Sequence, residues 1–227
     1  MSVISTKLPE TMPTFLSVSI TDKVISRSLQ SCIANSSAVD LSTKEYFIRY
    51  TLYAIGLLES RLDAADSSWF PLLSKYNQEL DKREEVHNQL RQTCRKATDT
   101  LYMAREAKDA NFGDNVSKVL TRLWNEVEPA LGDEAALLNS IGPKVLQEDL
   151  SIIEEEDKIR RLALMKKDGH LWCATYLMRC LTVEERQQFP PGVPGIAKSA
   201  MLAAGNWKFS REFQFAPSFT TPTENNI

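Results

Sequence analysis

The chain has 227 residues, of which 43% are hydrophobic and 25% are charged. These fractions are close to the averages of globular domains and exclude a disordered or fibrous chain. Twenty-seven basic residues against 30 acidic residues give a net charge of -3, which excludes the strongly basic surface typical of nucleic-acid-binding proteins.

Helical periodicity dominates the sequence, because apolar residues recur every three or four positions and strand-like alternation is scarce. The pattern therefore predicts an all-α fold. We expect one helical domain over residues 15–219, between flexible tails at 1–14 and 220–227. The predicted helices are, in chain order, A (17–35), B (43–66), C (80–108), a helix over 116–128, D (143–166), and shorter helices over 171–181 and 196–204.

Several residues mark where these helices should begin and end. The S-T-K-E sequence at residues 42–45 fits a capping box that involves Glu45 at the start of helix B. Pro71 should break the chain after helix B, and Pro129 with Gly132 should end the helix before D. Gly169 should cap helix D. We expect helices A to D to form an up-down-up-down four-helix bundle that is monomeric, with the aromatic segment 207–219 packed over it as an extended chain.

The N-terminal sequence and the lengths of the apolar stretches indicate the compartment of the protein. The N-terminal segment has no basic region followed by an apolar run, so we expect no signal peptide and a cytoplasmic protein. The longest near-apolar stretch, residues 50–58, is far shorter than the roughly 20 residues of a membrane-spanning helix.

Cys173 and Cys180 lie about 10 Å apart on one predicted helix, too far for a disulfide. We therefore expect free, buried thiols at all four cysteines, which are Cys32, Cys94, Cys173 and Cys180.

Each of the four main helices carries an ionisable residue within its apolar row. These residues are Asp22 on helix A, Glu59 on helix B, His87 on helix C and Glu148 on helix D. Charges are seldom buried unpaired, so these groups should pair with one another or with a ligand. The alternative is that His87 is a hydrogen-bonded core residue and that each carboxylate lies at a solvated edge.

Five segments resemble the haemerythrin-like (HHE) domains of fungi. LLESRLDAADSSWFPLL (57–73) is similar to their second helix and the break after it, and SIGPKVLQEDLSIIEEE (140–156) is similar to their fourth helix. The resemblance implies a four-helix bundle with two irons held by histidines and carboxylates. The remaining segments are RSLQSC (27–32), EEVHNQL (84–90) and GVPGIAKSAMLAAGNWKFSREF (192–213).

The chain departs from this family at the iron ligands. On helix A the ligand position is Asp22, and on helix D it is Glu148. On helix C His87 fits the first ligand, but Arg91 stands where the second histidine belongs. The helix B pair falls on Arg61 and Ala65, or on Leu62 and Asp66. Because an arginine repels a metal cation, we expect no iron and no other cofactor, with a carboxylate-rich metal site as an alternative.

A bundle that has lost its metal should keep a cleft between its helices, and an apolar cleft with a few polar groups is typical of a ligand site. The leading hypothesis is a metal-independent cyclase or isomerase of natural-product biosynthesis, a pericyclase of the Diels–Alder type, with an apolar small-molecule substrate. The alternatives are a non-catalytic ligand-binding or scaffold protein and a carboxylate-rich non-haem metal oxidase. The predicted catalytic residues are His87, Arg91, Asp22 and Glu148, and the predicted substrate-binding residues are Arg61, Glu59, Trp69 and Trp172.

Overall fold

The computed structural model describes residues 15–106, 112–190 and 192–219, and these residues form helices and turns without a β-strand. The predicted all-α fold is thereby confirmed. The predicted tails at 1–14 and 220–227 lie outside the described residues. The helices are α1 (Leu16–Ser36), α2 (Lys44–Ala64), α3 (Phe70–Leu73), α4 (Arg83–Glu106), α5 (Phe112–Ile141), α6 (Gln147–Asp168), α7 (His170–Arg179), α8 (Val183–Gln188), α9 (Gly195–Lys208) and α10 (Ser210–Phe213).

Helices α1, α2, α4 and α5 pack around one apolar core, each against the next, and α5 closes the ring against α1. Neighbouring helices run antiparallel. Asp22 of α1 meets Arg61 of α2 near one end, whereas Cys32 of α1 accepts a hydrogen bond from Thr51 of α2 nearer the other. Predicted helices A, B and C therefore correspond to α1, α2 and α4, in the expected up-down order.

The fourth member of the ring is α5, a helix of 30 residues that the sequence predicts to end at Pro129. Pro129 instead lies inside α5, on its exposed side. A proline there removes one backbone hydrogen bond, but on the solvent side the freed carbonyl can bond to water. Buried Val127, Leu131 and Leu138 continue the apolar row on the other side of the helix and hold α5 in place through the proline.

Predicted helix D corresponds to α6, which lies outside the ring of four helices, so its expected place in the bundle is wrong. It packs against α7 and against residues 65–69, and it leaves Ile152, Ile159 and Leu162 exposed. The physical reason is competition for the fourth place. Helix α5 presents an uninterrupted apolar row, whereas the row on helix D has a seven-residue gap between Ile152 and Ile159.

The predicted helix boundaries near α2 are partly wrong. No capping box forms at Thr43, because the Asp40 carboxylate accepts hydrogen bonds from the backbone N–H of Ser42 and of Thr43, both at 2.9 Å. Pro71 does not break the chain. A π-helical turn (Ala65–Trp69) continues α2 directly into α3, where Pro71 occupies the first turn.

The C-terminal helices pack against the outside of α2 through aromatic side chains. Trp172 of α7 stacks on Phe213 of α10 with ring centroids 5.0 Å apart, and Phe215 packs edge-on against Phe47 of α2. Residues 207–213 are largely helical, so the prediction of an extended segment is wrong there. Gly169, with φ of 96°, ends α6 as predicted.

The four cysteines are buried and carry free thiols, as the sequence predicts. No helix within the described ranges has an apolar stretch long enough to cross a membrane.

Candidate functional site

The centre of the four-helix ring holds Arg61, which projects from α2 and is only 2% exposed. Its Nε donates to Asp22 Oδ1 at 2.9 Å and its Nη2 donates to Asp22 Oδ2 at 3.3 Å, a bidentate pair that links α2 to α1. Its Nη1 donates to Glu134 of α5. The Trp69 ring lies 5.4 Å from the guanidinium and covers it.

His87 of α4 continues this network, with an exposed fraction of 0%. Its Nδ1 lies 2.6 Å from Asp66 Oδ1, its Nε2 contacts Glu134, and its ring stacks on Phe70. Arg91 donates to the second oxygen of Asp66 at 2.6 Å, at the edge of the bundle. We call the series Asp22–Arg61–Glu134–His87–Asp66–Arg91 the ionic chain.

Burial and charge pairing oppose each other along the ionic chain. Burial raises the pKa of Asp22, and the adjacent Arg61 offsets this only in part. Burial would also raise the pKa of Glu134, but Arg61 and His87 outweigh it and lower the pKa. Burial would lower the pKa of Arg61, but Asp22 and Glu134 raise it, so the guanidinium stays charged. Each buried charge in the centre is therefore stabilised by the opposite charges next to it.

The structure brings together some of the predicted site residues and separates others. Asp22, Arg61 and His87 meet in the centre, with Arg91 at its edge and Trp69 against Arg61. The expectation that His87 meets Asp22 or Glu148 is wrong, because its ring contacts Asp66 and Glu134.

The other predicted residues lie elsewhere. Glu148 is exposed on α6, since α6 is not part of the ring. Glu59 is half-buried on α2 outside the ionic chain, and burial raises its pKa. Trp172 belongs to the aromatic cluster outside α2. Glu148 was predicted to lie in the site because helix D was taken as the fourth helix of the bundle.

Sequence reasoning missed Glu134 and did not assign Asp66 to the site. A usable signal existed for Glu134, because Val127, Leu131, Glu134 and Leu138 follow steps of four, three and four, which place a carboxylate in an apolar row. The assumption that Pro129 ends the helix hid this row. Asp66 is brought to His87 within the π-helical turn, which no regular helical period describes.

The ionic chain does not fit the two-iron centre that the haemerythrin-like resemblance implies. A guanidinium lies between the carboxylates of Asp22 and Glu134, where a bridging metal would need them. Both nitrogens of His87 face carboxylate oxygens, so neither points to a shared metal position. Within the described ranges, no group of three or more His, Cys, Asp or Glu side chains is arranged to hold a metal ion.

A groove on the outer side of α2 offers the space that the packed centre does not. His87 and Glu134 are 0% exposed, which leaves no room for a water-sized sphere beside them. The groove has a volume of about 450 Å³, and one stripe of α2 forms its floor. We call it the α2 groove. It is lined by Glu45, Ile48, Arg49, Leu52, Tyr53, Gly56 and Leu57 of α2, Tyr102 and Arg105 of α4, Leu164, Lys167 and Asp168 of α6, and Trp172 of α7.

Gly56 lies in the floor of the α2 groove and keeps it deep. A Cβ atom added at Gly56 would meet nothing within 4 Å, so the space above this backbone is open. At one side Arg49 lies 4.7 Å from the Trp172 ring and donates to Glu212 at 2.8 Å. The groove therefore combines aliphatic and aromatic side chains of α2 with charged side chains along its rim.

Comparison with known proteins gives one informative match. The chain is 28% identical over 190 residues to a protein of Aspergillus fumigatus named "Xanthocillin biosynthesis cluster protein F". The match covers 83% of this chain and 84% of that protein. No family model matches the chain, and no solved structure matches it.

Proposed function

We propose that this protein works in natural-product biosynthesis and acts on a small organic molecule held in the α2 groove. The similarity to a biosynthesis cluster protein covers more than four fifths of both chains, so the two share most of their length rather than one motif. The groove volume, about 450 Å³, lies within the range of about 300–1,000 Å³ that ligand sites occupy. The proposal rests on the similarity to a biosynthesis cluster protein together with a groove of this volume.

The activity we propose is a metal-independent cyclisation or isomerisation. Such reactions need a pocket that folds the substrate into the reactive shape and a few donors that stabilise developing charge. The apolar floor of the α2 groove supports the first requirement, and Arg49, Arg105 and Lys167 on its rim support the second.

In this proposal the fold descends from a haemerythrin-like bundle in which the Arg61 guanidinium has replaced the metal cations. The ionic chain then orients α1, α2, α4 and α5 around the core. A catalytic role for His87, Arg91, Asp22 and Glu148 stays a prediction. The burial of His87 and Asp22 favours the structural alternative, because a substrate cannot touch them without opening the bundle.

The test is deletion of the gene in its own organism, followed by mass spectrometry of the metabolites. We expect one pathway compound to accumulate. Purified protein should convert this compound in the presence of EDTA, and a Gly56→Leu variant that fills the α2 groove should not. An unchanged metabolite profile would overturn the pathway role, and full activity of Gly56→Leu would overturn the groove as the site.

A non-catalytic ligand-binding function is the second candidate, and the ion pairs of the groove favour it. Arg105 is paired with Glu45 and Arg49 with Glu212, so these cations already have partners. A binding protein should form a one-to-one complex with the accumulated compound and return it unchanged. The oxidase alternative requires instead that EDTA abolish the conversion.

A further inference from the structure

We infer that the α2 groove binds an organic anion whose flat apolar body lies on the α2 floor and whose acidic group meets Lys167. This inference rests on the proposed function only in using the α2 groove as the ligand site. It adds the chemical class of the ligand and the residue that selects it.

The floor of the groove suits a flat, apolar molecule. Leu52 and Leu57 present half-buried aliphatic side chains along one side of α2, and Tyr53 adds an aromatic ring packed edge-on against Trp172 at 5.6 Å. Gly56 presents bare backbone in the middle of this surface. A ring or conjugated chain can therefore approach the α2 backbone at Gly56 and contact the side chains beside it, and burial of its apolar surface favours binding.

Arg49 provides a rigid, planar cation at the edge of this floor. One side of its guanidinium faces Trp172 at 4.7 Å, and Glu212 fixes its Nη1 at 2.8 Å. The side chain nevertheless remains 54% exposed. A guanidinium held in this way stacks readily on a conjugated ring, because the planar group is weakly hydrated and its position is already fixed.

Two of the three basic side chains on the rim of the groove already form ion pairs. Three basic side chains line the groove against two acidic ones. Arg105 forms an ion pair with Glu45, and Arg49 forms an ion pair with Glu212 from outside the lining. Asp168 is the last residue of α6 and lies two residues before the start of α7.

Lys167 is the remaining basic residue of the lining. Within the part of the chain that the structure describes, its ammonium makes no hydrogen bond and no ion pair. Its electrostatic interaction with Glu59 acts at longer range. An acidic group at the Lys167 end of the groove would therefore gain a cation that has no closer partner.

Two fluorescent probes of nearly the same shape test this inference. 8-Anilinonaphthalene-1-sulfonate is a flat anion, and N-phenyl-1-naphthylamine is the same ring system without the sulfonate. Fluorescence titration gives the Kd of each probe for the full-length protein and for Lys167→Gln. Lys166→Gln is the matched control, because Lys166 is exposed next to Lys167 but does not line the groove.

We expect Lys167→Gln to raise the Kd of the sulfonate probe by about 5-fold, the size expected of one partly exposed ion pair. The Kd of the neutral probe should stay within about 2-fold, as should both Kd values for Lys166→Gln. Gly56→Leu should weaken the binding of both probes by about 10-fold or more, because it occupies the space above α2.

The outcomes separate the ligand class from the site. If Lys167→Gln changes both probes equally, or behaves like Lys166→Gln, the anion inference is overturned while the groove remains. If Gly56→Leu leaves both probes unaffected, the groove itself is overturned as the binding site. Thermal unfolding of each variant shows that the folded protein is compared in every case.

Discussion

Arg61 of α2 and Asp22 of α1 form a bidentate ion pair inside the four-helix ring, with the Arg61 Nε 2.9 Å from Asp22 Oδ1. Both side chains are almost fully buried. Such a pair contributes little net stability compared with apolar residues, but breaking it leaves a buried charge without a partner. Removing Arg61 should therefore destabilise the fold by much more than the intact ion pair stabilises it.

Arg61→Met should lower the free energy of unfolding by about 3–5 kcal/mol, because Asp22 and Glu134 both lose their cation. Urea denaturation followed by circular dichroism measures this loss. Arg122→Met is the control, since Arg122 forms an exposed pair with Glu126 and should lose less than about 0.5 kcal/mol. Equal losses in the two variants would contradict a structural role for the ionic chain.

The pairing of Asp22 with Arg61 should appear as coupling between the two positions. Asp22→Asn and Arg61→Met should together cost less than the sum of the single losses, with a coupling energy of about 1–3 kcal/mol. A double-mutant cycle measured by urea denaturation gives this value. Strict additivity would show that the two side chains act independently.

His87→Ala should destabilise the protein by about 1–3 kcal/mol, because Asp66 and Glu134 each lose a buried hydrogen-bond partner. The hypothesis of a catalytic His87 expects instead a drop in turnover of about 10²-fold with folding retained. Thermal unfolding and, once the substrate is isolated, steady-state kinetics distinguish the two. We expect the lower melting temperature with turnover largely preserved.

Two glycines should respond in opposite ways to alanine. Gly56→Ala should stabilise the protein by about 0.5–1 kcal/mol, because glycine weakens a helix interior and the new Cβ meets open space. Gly205→Ala should destabilise it, since a Cβ there would clash with the Thr175 side chain, where α9 packs on α7. Melting temperatures that move in the same direction would contradict the packing described here.

Protonation of the Glu185 carboxylate should make the protein less stable in acid. Burial would raise its pKa, but hydrogen bonds from Arg27 and from the Thr182 backbone outweigh it and lower the pKa to about 2. A lowered pKa in the folded state means that the contribution to stability is complete above the unfolded value and is lost as the pH falls from about 4.5 to about 2.

The variant Glu185→Gln should therefore lose about 1 kcal/mol at pH 6, a figure reduced for solvent screening, and the difference from the unmodified protein should shrink below pH 4. Unfolding free energies at several pH values measure this trend. Glu128→Gln, at an exposed position of α5, is the control. A difference that is constant with pH would contradict the role of the ion pair.

The sequence predicts α1, α2 and α4 within a few residues because their apolar rows keep helical steps without interruption. The same rows indicate that Asp22 and His87 point inward. Glu134 could not be found once Pro129 was taken as a helix end, since a local rule about proline was overridden by tertiary packing of α5. The α2 groove was also beyond prediction, because α4, α6 and α7 meet α2 there from distant parts of the chain.

The π-helical turn at Ala65–Trp69 fixes how many residues the chain must have between the ionic chain and α3. Each residue added to or removed from a helix rotates everything beyond it by about 100°. A single insertion beyond the extra residue that the π-helical turn already accommodates would turn Trp69 away from Arg61 and Phe70 away from His87, although neither residue had changed. This stretch should therefore tolerate substitution at its exposed Ser67 far better than any change in length.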